Sequence, residues 1–149
     1  MKKIKLLLVD DHNLFRQGLR RILGDFEQIE VVGEASNGRE ALALVETVRP
    51  DVVLMDVNMP VVSGPEAAQQ MRLRFPQVPI IMLTVSERDE DLFAAIRSGA
   101  QGYLLKNVET ADLLTAIQQA QRGEAIIAPP MAARLLEEFR TLEIGRAHV

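Results

Sequence analysis

The stretch VVLMDVNMP, Val52–Pro60, decides how the rest of the chain is read. Val52, Val53, Leu54 and Met55 form an unbroken apolar run after Pro50, the pattern of a strand covered on both faces. The run stops at Asp56, and Asn58 and Pro60 follow at once. A carboxylate where a buried parallel strand ends lies on the carboxyl rim of the sheet, where open α/β sheets bind ligands. Taken alone, Asp56 reads equally well as a turn residue, because Asp and Asn are common after strands. The residues that the fold brings beside it decide between the two.

Outward from this stretch the same unit repeats without sequence repetition. Ile4–Val9 is apolar except for Lys5 and ends in Asp10 and Asp11. Phe15, Leu19, Ile22, Leu23 and Phe26 then recur at helical spacing across residues 13–26. Ile29–Ala35 reads as a strand, Ser36-Asn37-Gly38 as a turn, and Arg39–Val48 as a helix closed by Pro50. After the central strand, Ser63 and Gly64 lead into a helix reaching about Phe75. Pro79–Leu83 is a fourth strand ending at Thr84, and Asp89–Ser98 a helix stopped by Gly99. Gly102–Leu105 is a short fifth strand ending at Lys106, followed by a helix over Thr110–Arg122 with Gly123 as its stop.

Strands alternating with helices predict an α/β fold: a doubly wound, five-stranded parallel sheet with right-handed crossovers. Strand order 2-1-3-4-5 is the natural candidate, with a short extra helix at the C-terminus. In that order strands 1 and 3 lie side by side where the winding reverses. Asp10 and Asp11 are thereby expected beside Asp56, with Thr84 and Lys106 on the same rim.

Composition narrows the function. The 149 residues carry a net charge of −4, from 21 acidic and 17 basic side chains. That balance argues against a broad basic surface for nucleic acid in this segment. The absence of cysteine excludes disulfides and Cys-ligated metals and is compatible with a reducing cytosol. No apolar run approaches the ~18 residues of a membrane span. The basic start Met1-Lys2-Lys3 is followed by an apolar run cut short at Asp10-Asp11, which does not fit a signal peptide. A cytoplasmic protein with no membrane association is expected.

Three carboxylates within a few ångströms raise one another's pKa unless a cation sits among them. Oxygen ligands select a hard ion, and Mg²⁺ suits two or three carboxylates plus waters. A lysine facing the cluster neutralises part of it, and a hydroxyl such as Thr84 can donate to a bound oxyanion. Together these groups make a site for a phosphoryl group, with a carboxylate as nucleophile. Plain structural roles compete: Lys106 as a solvated strand-end lysine, Thr84 as a turn cap, and Tyr103 as a core aromatic.

Asp10-Asp11, Asp56, Thr84 and Lys106, each at a strand end and in that order, resemble the receiver domain of two-component response regulators. The likeness covers Lys3 to about Gly123, and the run GAQGYLLK, Gly99–Lys106, reads like that family's approach to strand 5. The resemblance implies a CheY-like, flavodoxin-like fold in which Asp56 accepts a phosphoryl group from a histidine kinase. It implies that Asp11 and Asp56 bind Mg²⁺ with the Asn58 backbone carbonyl, Asp10 acting mostly through water. Lys106 would pair with the phosphoryl group. Thr84 would turn toward it and draw Tyr103 inward, altering the face formed by helix 4, strand 5 and helix 5. Such a module is a switch acting on its own aspartate, not an enzyme turning over an external substrate.

Two departures stand out. Lys106-Asn107 replaces the common Lys-Pro pair, which removes the usual cause of a cis bond there. Val85 stands where a small residue usually follows the switch threonine, and its branched side chain is expected to crowd the phosphoryl site. His12 and His148 match no family role and are expected to be inert in the chemistry.

Past Gly123 the sequence resembles the linker of NarL/FixJ (LuxR-type) regulators. Residues 1–123 are therefore expected to form the receiver, and 124–142 a linker and short helix toward a DNA-binding domain absent from this chain. Residues 143–149 fit no pattern and read as a scar or a truncated end. Pro129 and Pro130 are good helix starters, and Met131, Leu135, Leu136 and Phe139 follow at helical spacing, predicting an amphipathic helix over 129–140. Its apolar face needs a partner: helix 5, a second copy of the chain, or the output domain. The expected partners are thus a histidine kinase and, as a candidate, a homodimer, with DNA reached only through the absent domain.

Two other functions share parts of this pattern. A Mg²⁺-dependent phosphatase would place Asp-x-Asp after strand 1, whereas here the pair is Asp10-Asp11 and strand 3 continues Asp56-Val57-Asn58. A flavin module would need hydroxyls or glycines after strand 1, where Asp10-Asp11 would repel the phosphate.

Overall fold

A computed structural model describes residues 2–86, 88–127 and 129–147, the side chains of Pro129 and of 143–147 excepted. The elements run β1 (Ile4–Val9), α1 (Asn13–Gly24), β2 (Ile29–Ala35), α2 (Gly38–Val48), β3 (Val52–Asp56) and α3 (Gly64–Arg74). Then follow β4 (Ile80–Thr84), α4 (Asp89–Arg97), β5 (Gly102–Leu105), α5 (Thr110–Gln121), β6 (Ile126–Ile127) and α6 (Pro129–Ala147).

All pairings are parallel, in the order β2-β1-β3-β4-β5-β6. The first five strands stand as expected, and the five-stranded sheet is corrected to six. β6 comes from the linker, where Ile126 pairs with Gly102 and Ile127 with Tyr103. Two residues are too few to register as a period in the sequence. Gly102 makes the approach possible, because a Cβ there would lie 3.0 Å from the Ile126 carbonyl oxygen.

Alternation along the strands sends side chains to two cores. Leu7, Val9, Val53, Met55 and Met82 pack beneath α2, α3 and α4, through residues such as Ala41, Met71 and Leu92. Leu6, Leu8, Leu54, Ile81 and Leu83 pack beneath α1 and α5, through Leu23, Leu113 and Ile117. Every residue of β3 and β4 is buried, as the continuous apolar runs require.

The C-terminal helix is longer than expected, and its contact within the chain is one that the sequence left open. It continues to Ala147 rather than ending near residue 140, because a lone Gly145 costs helix propensity without ending a helix. It packs against α4: Met131 is 4% exposed and belongs to the same core as Leu92, Ala95 and Tyr103. Arg134 lies 3.5 Å from Asp89 of α4. His148, in the expected tail, lies outside the described residues. No described peptide bond is cis, that before Asn107 included.

Candidate functional site

The pairing of β1 with β3 matches Val9 to Met55, so the residues after each strand emerge together at the carboxyl rim. Asp10 and Asp56 are both buried. Lys106, the first residue after β5, reaches across with Nζ 2.8 Å from Asp10 Oδ2 and 3.4 Å from Asp56 Oδ2. Its ammonium also stands 4.5 Å from the centre of the Phe15 ring on α1, a cation–π contact. The solvated-lysine alternative does not describe this side chain, which is only 9% exposed.

Burial pushes the Asp56 carboxyl above its ordinary value. The Lys106 charge and a hydrogen bond from the Asn58 N–H oppose that shift, while Asp10 adds to it. An ionised Asp56 thus costs stability until another cation joins the cluster. Asp11 supplies the place for one: its Oδ1 is buried and accepts no hydrogen bond. An orphaned carboxylate oxygen beside two further carboxylates fits a hard divalent ion better than it fits the bare fold.

Sequence reasoning set His12 aside, yet its ring stands among the acids. His12 Nδ1 is 3.1 Å from Asp10 Oδ1, 3.5 Å from Asp11 Oδ1 and 3.9 Å from Asp56 Oδ2. Two residues of α1 also reach the site. Arg16 donates to the Asp10 carbonyl at 2.5 Å and to Glu34 at 2.9 Å, tying the end of β1 to β2. Phe15 was assigned to the core, with no signal in a single sequence that Lys106 would use its face.

The loop from β3 to α3 holds Asp56 in place from below. Gly64 starts α3 directly against the strand end, since a Cβ there would lie 2.3 Å from the Asp56 carbonyl oxygen. Within the loop Val61 takes φ 71°, and Val62 donates to the Pro60 carbonyl at 2.8 Å. A β-branched residue in that region is strained, by about 1–3 kcal/mol.

On the far side of Asp56, Thr84 ends β4 fully buried and Val85 projects with 80% exposure. Thr84 Oγ1 accepts the Ser86 N–H at 3.0 Å, and the Tyr103 hydroxyl donates to the Ser86 carbonyl at 3.3 Å. Tyr103 is buried, and its hydroxyl is pushed up to about 12, first by burial and then by the Asp91 charge. One peptide segment thus links the rim hydroxyl to the aromatic beneath α6.

The family description of the response regulator receiver domain matches residues 6–118. The chain belongs to this family. The receiver domain is 39% identical over 140 residues to the transcriptional regulatory protein DegU of Brevibacillus brevis, covering 94% of this chain and 59% of that protein. It is 39% identical over 142 residues to the nitrate/nitrite response regulator NarL of Escherichia coli K12, covering 93% of this chain and 66% of the relative. The receiver domain thus spans about three-fifths to two-thirds of these curated relatives. Among solved structures, it superposes on the signal receiver domain of a NarL response regulator from Mycobacterium tuberculosis with TM-score 0.80. Identity there is 31%, with 83% of this chain and all of that one covered. A LuxR-family two-component response regulator from Aurantimonas sp. SI85-9A1 gives TM-score 0.85 at 31% identity, covering 92% of this chain and 98% of that one. No described helix is long and apolar enough to cross a membrane.

Proposed function

We propose that this receiver, in the cytoplasm, accepts a phosphoryl group on Asp56 from a phosphohistidine of a histidine kinase, and so controls a DNA-binding domain carried by the full protein. The observation that supports this reading best is a buried Asp56 between Lys106 and the Asp10–Asp11 pair. In the transfer, an Asp56 carboxylate oxygen forms the new bond to phosphorus as the kinase nitrogen leaves. Lys106 stays beside both carboxylates and offsets charge on the transferred group. Asp10, Asp11, Asp56 and the Asn58 carbonyl would hold Mg²⁺, which when bound neutralises charge on the phosphoryl oxygens. The chemistry ends on the protein's own aspartate, so the module is a switch and not a turnover enzyme. Intact mass after incubation with acetyl phosphate and Mg²⁺ tests the reading: one phosphoryl increment is expected, and none would sink it.

Thr84 and Tyr103 form the switch. A Thr84 hydroxyl that turns to the phosphoryl group releases the Ser86 N–H, and the freed segment shifts the carbonyl that Tyr103 holds. Because Tyr103 and Met131 share one buried core, the change can reach α6, the helix leading toward the output domain.

Two expectations follow for the site. Mg²⁺ should raise the melting temperature of the wild type by mass action, and Asp11→Ala should weaken Mg²⁺ binding by tenfold or more, on the order of 1.4 kcal/mol. Titration calorimetry showing equal affinity in the two proteins would remove Asp11 as a ligand. Val85, exposed beside Thr84, should slow approach of small donors or water. Val85→Ala is then expected to react severalfold faster with acetyl phosphate or to lose its phosphoryl group sooner. Unchanged rates for both would leave Val85 without a role at the site.

A further inference from the structure

Arg16 lies in the first turns of α1, and its three side-chain nitrogens are all engaged. Nη1 donates to the Asp10 carbonyl at 2.5 Å, Nε to Glu34 Oε1 at 2.9 Å and Nη2 to Asn13 Oδ1 at 2.9 Å. The Arg16 side chain is 14% exposed, and that of Glu34, on β2, 19%. Burial pushes the Glu34 carboxyl up, but Arg20 and Arg16 together hold it below its ordinary value, so it meets Arg16 as a carboxylate. A guanidinium anchored in this way is a planar fork with a set direction. The fork points at one peptide group, that between Asp10 and Asp11. Because a peptide is planar, holding its carbonyl also sets the direction in which the Asp11 Cα leaves. The two acids differ in what else fixes them. The Asp10 carboxylate has bonds of its own, Oδ1 to the His12 N–H and Oδ2 to Lys106, both at 2.8 Å. Asp11 Oδ1 accepts no hydrogen bond, with His12 Nδ1 3.5 Å away, yet the two residues and Asp56 bring ligand atoms within 4.8 Å of one another. The backbone therefore decides where Asp11 points.

We propose that Arg16 is a positioning residue of the phosphoryl site: anchored by Glu34, it holds the Asp10–Asp11 peptide so that the Asp11 carboxylate is presented toward Asp56. It acts through that peptide and touches neither cation nor phosphoryl group. The role rests on the cation reading of the acids given above. Charge alone would act in the opposite sense. A fixed positive charge behind Asp10 repels a divalent ion, so a guanidinium serving only as a charge would weaken cation binding. A guanidinium serving to orient a ligand strengthens it, as groups behind metal ligands commonly do. The two roles therefore differ in sign. Glu34 completes the device, because without it the fork has no anchor on β2.

Titration calorimetry with Mg²⁺ on wild type, Arg16→Gln and Arg16→Lys tests this, beside melting temperatures in metal-free buffer. Arg16→Gln removes both the charge and the fork. Arg16→Lys keeps the charge and replaces the planar fork with a single ammonium. Mg²⁺ affinity should fall by about tenfold in Arg16→Gln. It should fall severalfold in Arg16→Lys, whose melting temperature should stay closer to that of wild type. If Arg16→Gln does not fold, Arg16→Lys decides by itself. Equal or tighter Mg²⁺ binding in either folded variant would overturn the positioning role and leave the cation reading standing. A wild type that binds no Mg²⁺ would overturn the cation reading as well.

Discussion

Asp56→Asn is expected to take up no phosphoryl group under conditions that fully modify the wild type. The three acids on the rim are not equivalent. Asp10 has one oxygen on His12 and the other on Lys106, so its lone pairs are engaged and its charge is offset. Asp11 is part-exposed, and only its unpartnered Oδ1 rivals Asp56 as a nucleophile. Asp56 alone combines burial, a lysine at 3.4 Å and a place at the end of the central strand. Asparagine keeps the shape and removes both the nucleophilic oxygen and the charge. The Lys106–Asp10 contact survives, so the fold should too. Removing a carboxylate whose burial already disfavours its ionised form should leave the melting temperature in metal-free buffer unchanged or raised. Comparing intact masses of wild type and variant decides the point. Equal incorporation would move the acceptor to Asp11, and a variant that fails to fold would contradict the charge argument.

What the sequence made legible follows from which signals are periodic. Buried parallel strands are apolar throughout, so β3 and β4 could be read from Val52–Met55 and from the run ending at Thr84. Once the order of β1 and β3 was fixed, the rim residues Asp10, Asp56 and Lys106 had to meet, and they do. Contacts that depend on where a side chain turns were not legible. His12 is adjacent to the acids in sequence, yet nothing in its spacing says that the ring folds back rather than capping α1. Phe15 obeys the helical period that marks core residues, and the same period places it over Lys106. β6 carries no period because it has two residues, and the partner of α6 stays open in the sequence because amphipathicity names a face and not what covers it.

Met131→Ala is expected to release α6, and the size of its effect measures how firmly that helix is docked. Met131 is 4% exposed in the core that also holds Tyr103, Leu92 and Ala95, whereas Leu136 and Phe139 are 61% and 64% exposed. The apolar stripe of α6 is therefore used at its N-terminal end and left open beyond. Truncating a buried methionine to alanine costs about 2–5 kcal/mol in a core that cannot relax. Here the loss is capped by the docking free energy of α6 itself, because the helix can come away while the sheet remains folded. A helix of this length is marginal in water without a partner, so release should also lower far-UV helicity. The expected result for Met131→Ala is a melting temperature lower by roughly 5 °C or more, with measurable loss of helix. Phe139→Glu should leave both unchanged, and Leu135→Glu, at a half-buried position, should fall between them. Phosphorylation should then alter hydrogen exchange across α6 in the wild type, because Tyr103 bonds the Ser86 carbonyl and shares a core with Met131. If Met131→Ala changes neither stability nor helicity, α6 is not held by the receiver, and the route from Thr84 to the output helix has no physical link.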